Sequence, residues 1–204
     1  IISDGEPIIS SLGHFLHVPL WYCSPLHLLD CVHFTQKDFF YRSFLNQGRT
    51  DMKNWPKAAR TFIYSPFANL SCLQTKKAEW ILPYTEPLKK ELFLVQRKKI
   101  LHKIFKASMF KEYMLSKWAF TTGDTNQVAD ILAANIPFAI APNLKDQEAI
   151  VNGSVIRMAN IGYEMGQFEI TDEAVDELET AMLHDKKPNV ELSGLYFHEI
   201  IKKG

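Results

Sequence analysis

The pattern of apolar and polar positions changes character near residue 88. Before that point apolar residues come in short bursts cut by proline, and seven of the ten prolines stand at positions 7, 19, 25, 56, 66, 83 and 87. Proline fixes φ and removes a backbone donor, so long regular elements cannot run through this half. Two short helices are predicted here, over residues 36–45, with Phe39, Phe40 and Phe44 buried, and over residues 55–62. The remainder of residues 1–87 reads as an extended arm or a small subdomain.

From Pro87 the pattern becomes helical. Residues 88–119 contain neither Gly nor Pro. At roughly 100° per residue, Phe93, Leu94, Ile100, Leu101, Ile104, Phe105, Leu115 and Trp118 share one face, and Lys98, Lys99, His102, Lys103, Lys106 and Lys117 the other. Gly123 breaks the pattern, and Asp124 or Thr125 can cap a helix running to Asn135. Pro137 and Pro142 bracket an apolar connector, Phe138-Ala-Ile-Ala, before a helix over residues 144–165 in which Gly153 marks a weak point. A further helix starts at Thr171, with Ala174, Val175, Leu178, Ala181 and Met182 as its apolar stripe, and a last short one covers residues 195–202. The predicted fold class is therefore mainly α: a Pro- and aromatic-rich N-terminal half (residues 1–87), then a helical domain (residues 88–204) made of a long basic amphipathic helix and a small helical bundle.

Composition adds little to this. An apolar fraction of 47% and a charged fraction of 23% are those of a chain that buries a core. Aromatics reach 12%, enough to supply either a Phe-rich core or a large contact surface. Three cysteines, Cys23, Cys31 and Cys72, cannot close a disulfide set, which fits a reducing compartment or buried thiols. Because the chain begins Ile-Ile, a cleaved organellar presequence is one expectation and a fragment end is the other. No apolar run is long enough to span a bilayer, and residues 7–34 could at most lie at a membrane surface.

Charge changes the picture more, because the neutral total hides a sorting. Residues 61–120 carry eleven Lys/Arg against four Asp/Glu, about +7, and residues 121–204 carry six against fourteen, about −8. A basic middle and an acidic end attract each other or address two partners. The lysine face suits anionic lipid, a groove or phosphates, but a solvated outer face of a core helix reads the same way.

The densest chemistry is a His/Cys cluster, His14, His17, Cys23, His27, Cys31 and His33. Imidazole and thiolate are zinc ligands, yet no Cys-x-x-Cys accompanies them. Cys23 with His27, or Cys31 with His33, offers a thiol and a base, although neighbours in sequence rarely take catalytic geometry. Asp172/Glu173 and Asp176/Glu177 recur as a solvated acidic face, and Gly162-x-x-x-Gly166 lacks the Lys-Ser/Thr of a phosphate loop. Asn69-Leu-Ser and Asn152-Gly-Ser match the glycosylation sequon. No family is recognised in these motifs.

The expectation drawn from these residues is a non-enzymatic structural or accessory subunit of a multiprotein assembly, organellar (mitochondrial) and membrane-associated, with no cofactor. Its partners would be other protein subunits and, peripherally, membrane lipid, with nucleic acid the weakest case. Partner contacts are expected at Trp21, Tyr22, Trp55, Trp80, Lys98, Lys99, Lys103 and Lys106. Two alternatives stand beside it: a metal-dependent enzyme or module using the His/Cys cluster, and a basic-helix adaptor for anionic lipid or RNA.

Overall fold

Phe138-Ala-Ile, expected as a connector, is a strand buried at all three positions, and it pairs in parallel with Ala119-Phe-Thr. A short apolar run with no alternation is the signature of a strand covered on both faces, and such strands occur in parallel α/β sheets. The computed structural model describes residues 1–4, 7–32, 39–73, 79–83, 116, 118–165, 176, 188, 190 and 192. In chain order its strands are β1 (Ile2–Ser3), β2 (Trp21–Ser24), β3 (Arg60–Tyr64), β4 (Glu79–Ile81), β5 (Ala119–Thr121), β6 (Phe138–Ile140) and β7 (Tyr163–Glu164). Its helices are α1 (Pro7–Phe15), α2 (Phe39–Lys53), α3 (Thr125–Ala134) and α4 (Gln147–Ala159), with a 3-10 helix over Pro25–Asp30.

The strands form two sheets, β1-β2-β3-β4 and β5-β6-β7, and every strand pair is parallel. Parallel neighbours need a crossover, supplied by α1 between β1 and β2, α2 between β2 and β3, α3 between β5 and β6, and α4 between β6 and β7. The fold is thus α/β, and the expectation of a mainly α chain with an extended N-terminal arm is corrected. Proline did not prevent regular structure in the first half; it confined the strands to two to five residues, lengths that parallel sheets tolerate.

One apolar cluster joins the elements. It takes Leu28, Leu29 and Val32 from the 3-10 region, Leu45 from α2, Ile63 from β3, and Val128, Ile140, Ile150 and Val155 from the second sheet and its helices. The other face of the first sheet carries a smaller cluster of Phe62 and Ile81 with Trp21, Cys23 and Tyr64 against it. Arg60 covers that cluster: its guanidinium lies 5.0 Å from the Trp21 ring and 4.7 Å from Phe62 while its Nε donates to Glu79 at 3.2 Å.

Individual elements divide in the same way. The helix expected over residues 36–45 exists as α2, extends to Lys53, and leaves Phe44 38% exposed; the side chains of Phe39 and Phe40 lie outside the described residues. Tertiary bonds account for the extra length, since the Arg49 guanidinium donates to Leu29 O at 2.7 Å and Val32 O at 2.6 Å. Residues 55–62 are not helical, because Arg60–Tyr64 is strand β3. The long basic helix falls outside the described residues except at Ser116, Trp118 and Ala119. None of these three is helical, and Ala119 opens β5. α3 carries the expected Asp124 cap and ends at Asn135 in the left-handed conformation. α4 runs unbroken through Gly153, where a Cβ would meet the Pro142 ring at 2.5 Å, and stops at Asn160 instead of Met165 because residues 163–164 pair with β6. The helices expected after Thr171 and over residues 195–202 lie outside the described residues, save Asp176, which is helical. Among the described residues no helix is long and apolar enough to cross a membrane.

Candidate functional site

In an open parallel α/β sheet the strands' carboxyl ends and the helices that follow them share one edge, and ligands bind there. β5 ends at Thr121, whose hydroxyl donates to Gln127 Oε1 at 2.9 Å and accepts from Gly123 N at 3.1 Å. Gly123 takes φ +102, a region open to glycine, and a Cβ there would stand 2.9 Å from Ala149 Cα. The turn is therefore pressed onto α4, and α3 starts immediately after it.

Carboxylates of the chain fill the helix starts at this edge. Asp124 Oδ1 accepts from Gln127 N at 3.0 Å, and Glu148 Oε1, from α4, accepts from Thr125 N at 2.8 Å. Asp146 Oδ1 in turn accepts from Glu148 N at 3.0 Å and Ala149 N at 3.5 Å. Buried Asn152 locks the two helices together, its Nδ2 donating to Gly123 O at 2.8 Å and Thr125 Oγ1 at 2.9 Å. Burial pushes the Glu148 carboxyl above the usual carboxylate range; the bonds from Thr125 oppose this, and the charges of Asp124 and Asp146 add to it.

From the first sheet, Tyr64 at the end of β3 donates its hydroxyl to Asn126 Oδ1 at 2.6 Å. Asn143 and Gln147 complete the polar surface, the first accepting from Lys145 N at 3.1 Å and the second donating to Asp51 Oδ2 at 3.5 Å. The edge thus presents carboxylates and primary amides, half-buried at Asp124, Asn126, Gln127, Gln147 and Glu148 and exposed at Asn143 and Asp146.

Those residues singled out from the sequence that the structure describes lie elsewhere. Tyr22 is 3% exposed, donates its hydroxyl to Pro56 O at 2.9 Å, and packs with Trp55 at 5.0 Å between ring centres. Trp55 also meets His27 edge-on at 5.6 Å, Trp21 lies under Arg60, and half-buried Trp80 packs on the main core. Lys98, Lys99, Lys103 and Lys106 lie outside the described residues.

The His/Cys cluster does not converge: among the described residues no group of three metal-ligating side chains comes together. His14 and His17 sit at the end of α1, Cys23 in β2, His27 and Cys31 around the 3-10 helix, and His33 outside the described residues. The thiols are poor nucleophiles. Burial, with Asp4 nearby, pushes Cys23 up to about 11, and burial raises Cys31 and Cys72 as well. The carboxyl-edge residues went unnoticed because they are scattered over the chain; only the Gly123-Asp124 step, a strand-to-helix turn, was visible.

No protein-family model matches the chain, and no curated protein does. Solved structures similar to it include the glycotransferase of kitacinnamycin (10% identity, 85% of this chain and 64% of that one, TM-score 0.47). CalG4, the calicheamicin glycosyltransferase, is similar at 10% identity over 90% of this chain and 64% of that one, with a TM-score of 0.49. The glycosyltransferase SnogD from Streptomyces nogalater is similar at 10% identity over 85% and 65%, with a TM-score of 0.42. The chain spans less than two thirds of the length of each. With TM-scores below 0.5 the likeness decides no activity. The expectation of a non-enzymatic, all-α accessory subunit is nevertheless corrected. It was built on an arm and a helical bundle, and parallel α/β sheets stand in their place. The mitochondrial and membrane expectations find no support among the described residues, and the basic helix of the adaptor reading lies outside them.

Proposed function

We propose that the carboxyl edge of β5 and β6 binds an uncharged, hydroxyl-rich ligand of the sugar class, and that the protein uses it in glycosyl transfer. One observation carries the reading: the helix starts that would attract a phosphate already hold Asp124, Asp146 and Glu148 on their backbone N–H groups. An anionic group brought to the same place would meet three carboxylates. A hydroxyl would not, since it donates to a carboxylate oxygen and accepts from an amide NH2, and Asp146, Asn126, Asn143 and Gln147 offer both. Glycosyl transfer is the reaction assayed because the similar solved structures are named for it.

Calorimetric titration of the full chain with monosaccharides and uncharged glycosides, followed by transfer of a labelled sugar from the glycoside, tests this. A saccharide should bind saturably, and Asn126→Ala and Gln147→Ala should each weaken it about tenfold through loss of a hydrogen-bonding group. The reading fails if no saccharide binds, or if binding ignores both substitutions.

A further inference from the structure

A second cleft lies at the opposite end of the first sheet. It measures about 430 Å³, within the size range of small-ligand sites, and sits where α1 ends and where β2 and β3 begin. Its polar lining is His14, His17 and Lys57, and its apolar lining includes Val18, Pro19, Leu20 and Ala58. The walls are tied together, since Ala59 N donates to Leu20 O at 2.8 Å.

His17 is held there by its backbone. α1 closes with His17 N donating to His14 O at 3.2 Å and Val18 N to Gly13 O at 3.1 Å, the paired bonds of a helix stop whose central residue is left-handed. Glycine suits that position best, yet His17 occupies it at φ +53. A β-carbon there costs on the order of 1–2 kcal/mol. The turn places His17 and His14 in the lining of the same cleft as Lys57. Among the described residues no hydrogen bond or ion pair engages these three side chains, and none of the residues lining the cleft is acidic. Beyond it the surface stays apolar along α1, where Leu12, Phe15 and Leu16 are 47%, 78% and 51% exposed.

We infer that this cleft binds a small organic anion with an apolar body, a medium-chain carboxylate, its head held by His14, His17 and Lys57 and its tail laid against Val18, Pro19 and Leu20. Charge and shape each carry part of the argument. Three donors without a carboxylate among them select an anion, and the apolar walls select against a bare inorganic one. The site is separate from the carboxyl edge and does not rest on the reading of that edge.

The test is a titration of the full chain with octanoate, octan-1-ol and inorganic phosphate, followed by the imidazole resonances of His14 and His17. Octanoate should saturate one site and shift both resonances, with octan-1-ol and phosphate each at least about tenfold weaker. Lys57→Glu should weaken octanoate about tenfold or more. His17→Gly, which relieves the backbone and keeps the fold, should lose octanoate binding while gaining stability. The inference is overturned if octan-1-ol or phosphate matches octanoate, if no saturation appears below roughly 10 mM, or if both variants bind as well as the parent.

Discussion

Glu148 and Thr125 stand 23 positions apart, and the carboxylate of one accepts the backbone N–H of the other at 2.8 Å. Glu148 lies in the first turn of α4, and Thr125 opens α3. A side chain from the later crossover helix therefore closes the start of the earlier one. A ligand group would have been drawn to the same place by the same partial charge.

That contact makes stability depend on pH in a defined direction. The Glu148 carboxyl is raised in the folded chain, by burial first and by Asp124 and Asp146 second, against the Thr125 bonds. A raised folded value means that its contribution is fully present below the ordinary carboxylate range and is lost as pH rises through the raised value. Glu148→Gln keeps an acceptor for Thr125 N and removes the titration. Urea denaturation of both proteins between acid and neutral pH should show the variant gaining on the parent as pH rises. A difference that stays flat, or falls, would show that Glu148 is not raised.

Gly123→Ala should destabilise the protein by about 2 kcal/mol or more, for two separate reasons. Its φ of +102 suits no L side chain, and the added carbon would stand 2.9 Å from Ala149 Cα. Equilibrium denaturation measures it. A loss below about 0.5 kcal/mol, the scale of an ordinary surface change, would mean the turn is not pressed on α4.

Asn152→Ala should cost about 1–3 kcal/mol, because Gly123 O and Thr125 Oγ1 both lose their donor inside the fold. The same burial settles one sequence motif. Asn152 is 0% exposed, so the folded chain should carry no glycan there, whereas Asn69 in the other sequon is exposed. Mass spectrometry after expression in a glycosylating host checks the second point, and a glycan on Asn152 of folded protein would contradict the placement.

Cys23 should alkylate slowly in the native chain. With its thiol pushed up to about 11, only a small thiolate fraction exists at neutral pH. Iodoacetamide labelling followed by peptide mass spectrometry should show Cys23 reacting at least about tenfold more slowly in native protein than in urea. Equal rates would remove the burial that underlies the shift.

Some of this was legible in the chain. Gly123 followed by Asp124 stopped one element and capped the next, since a left-handed turn and an N-cap each depend on a residue and its immediate neighbours. The α3 boundaries followed directly. The strands were not legible, because β5 and β6 are only three residues long and buried on both faces, so they show no alternation to read. Aromatic residues look alike in a core and at an interface, and only the tertiary structure shows that Tyr22 and Trp55 pack against His27.

By itself, then, the sequence determined the stop at Gly123 and the Asp124 cap of α3, which are local properties of φ and of short side chains. Tertiary structure alone decided that the strands pair in parallel, that Glu148 reaches Thr125, and that His14, His17 and Lys57 share a cleft. Each of these joins residues separated by a crossover or a loop, and no local preference encodes which distant segment a strand end or a charged side chain will meet.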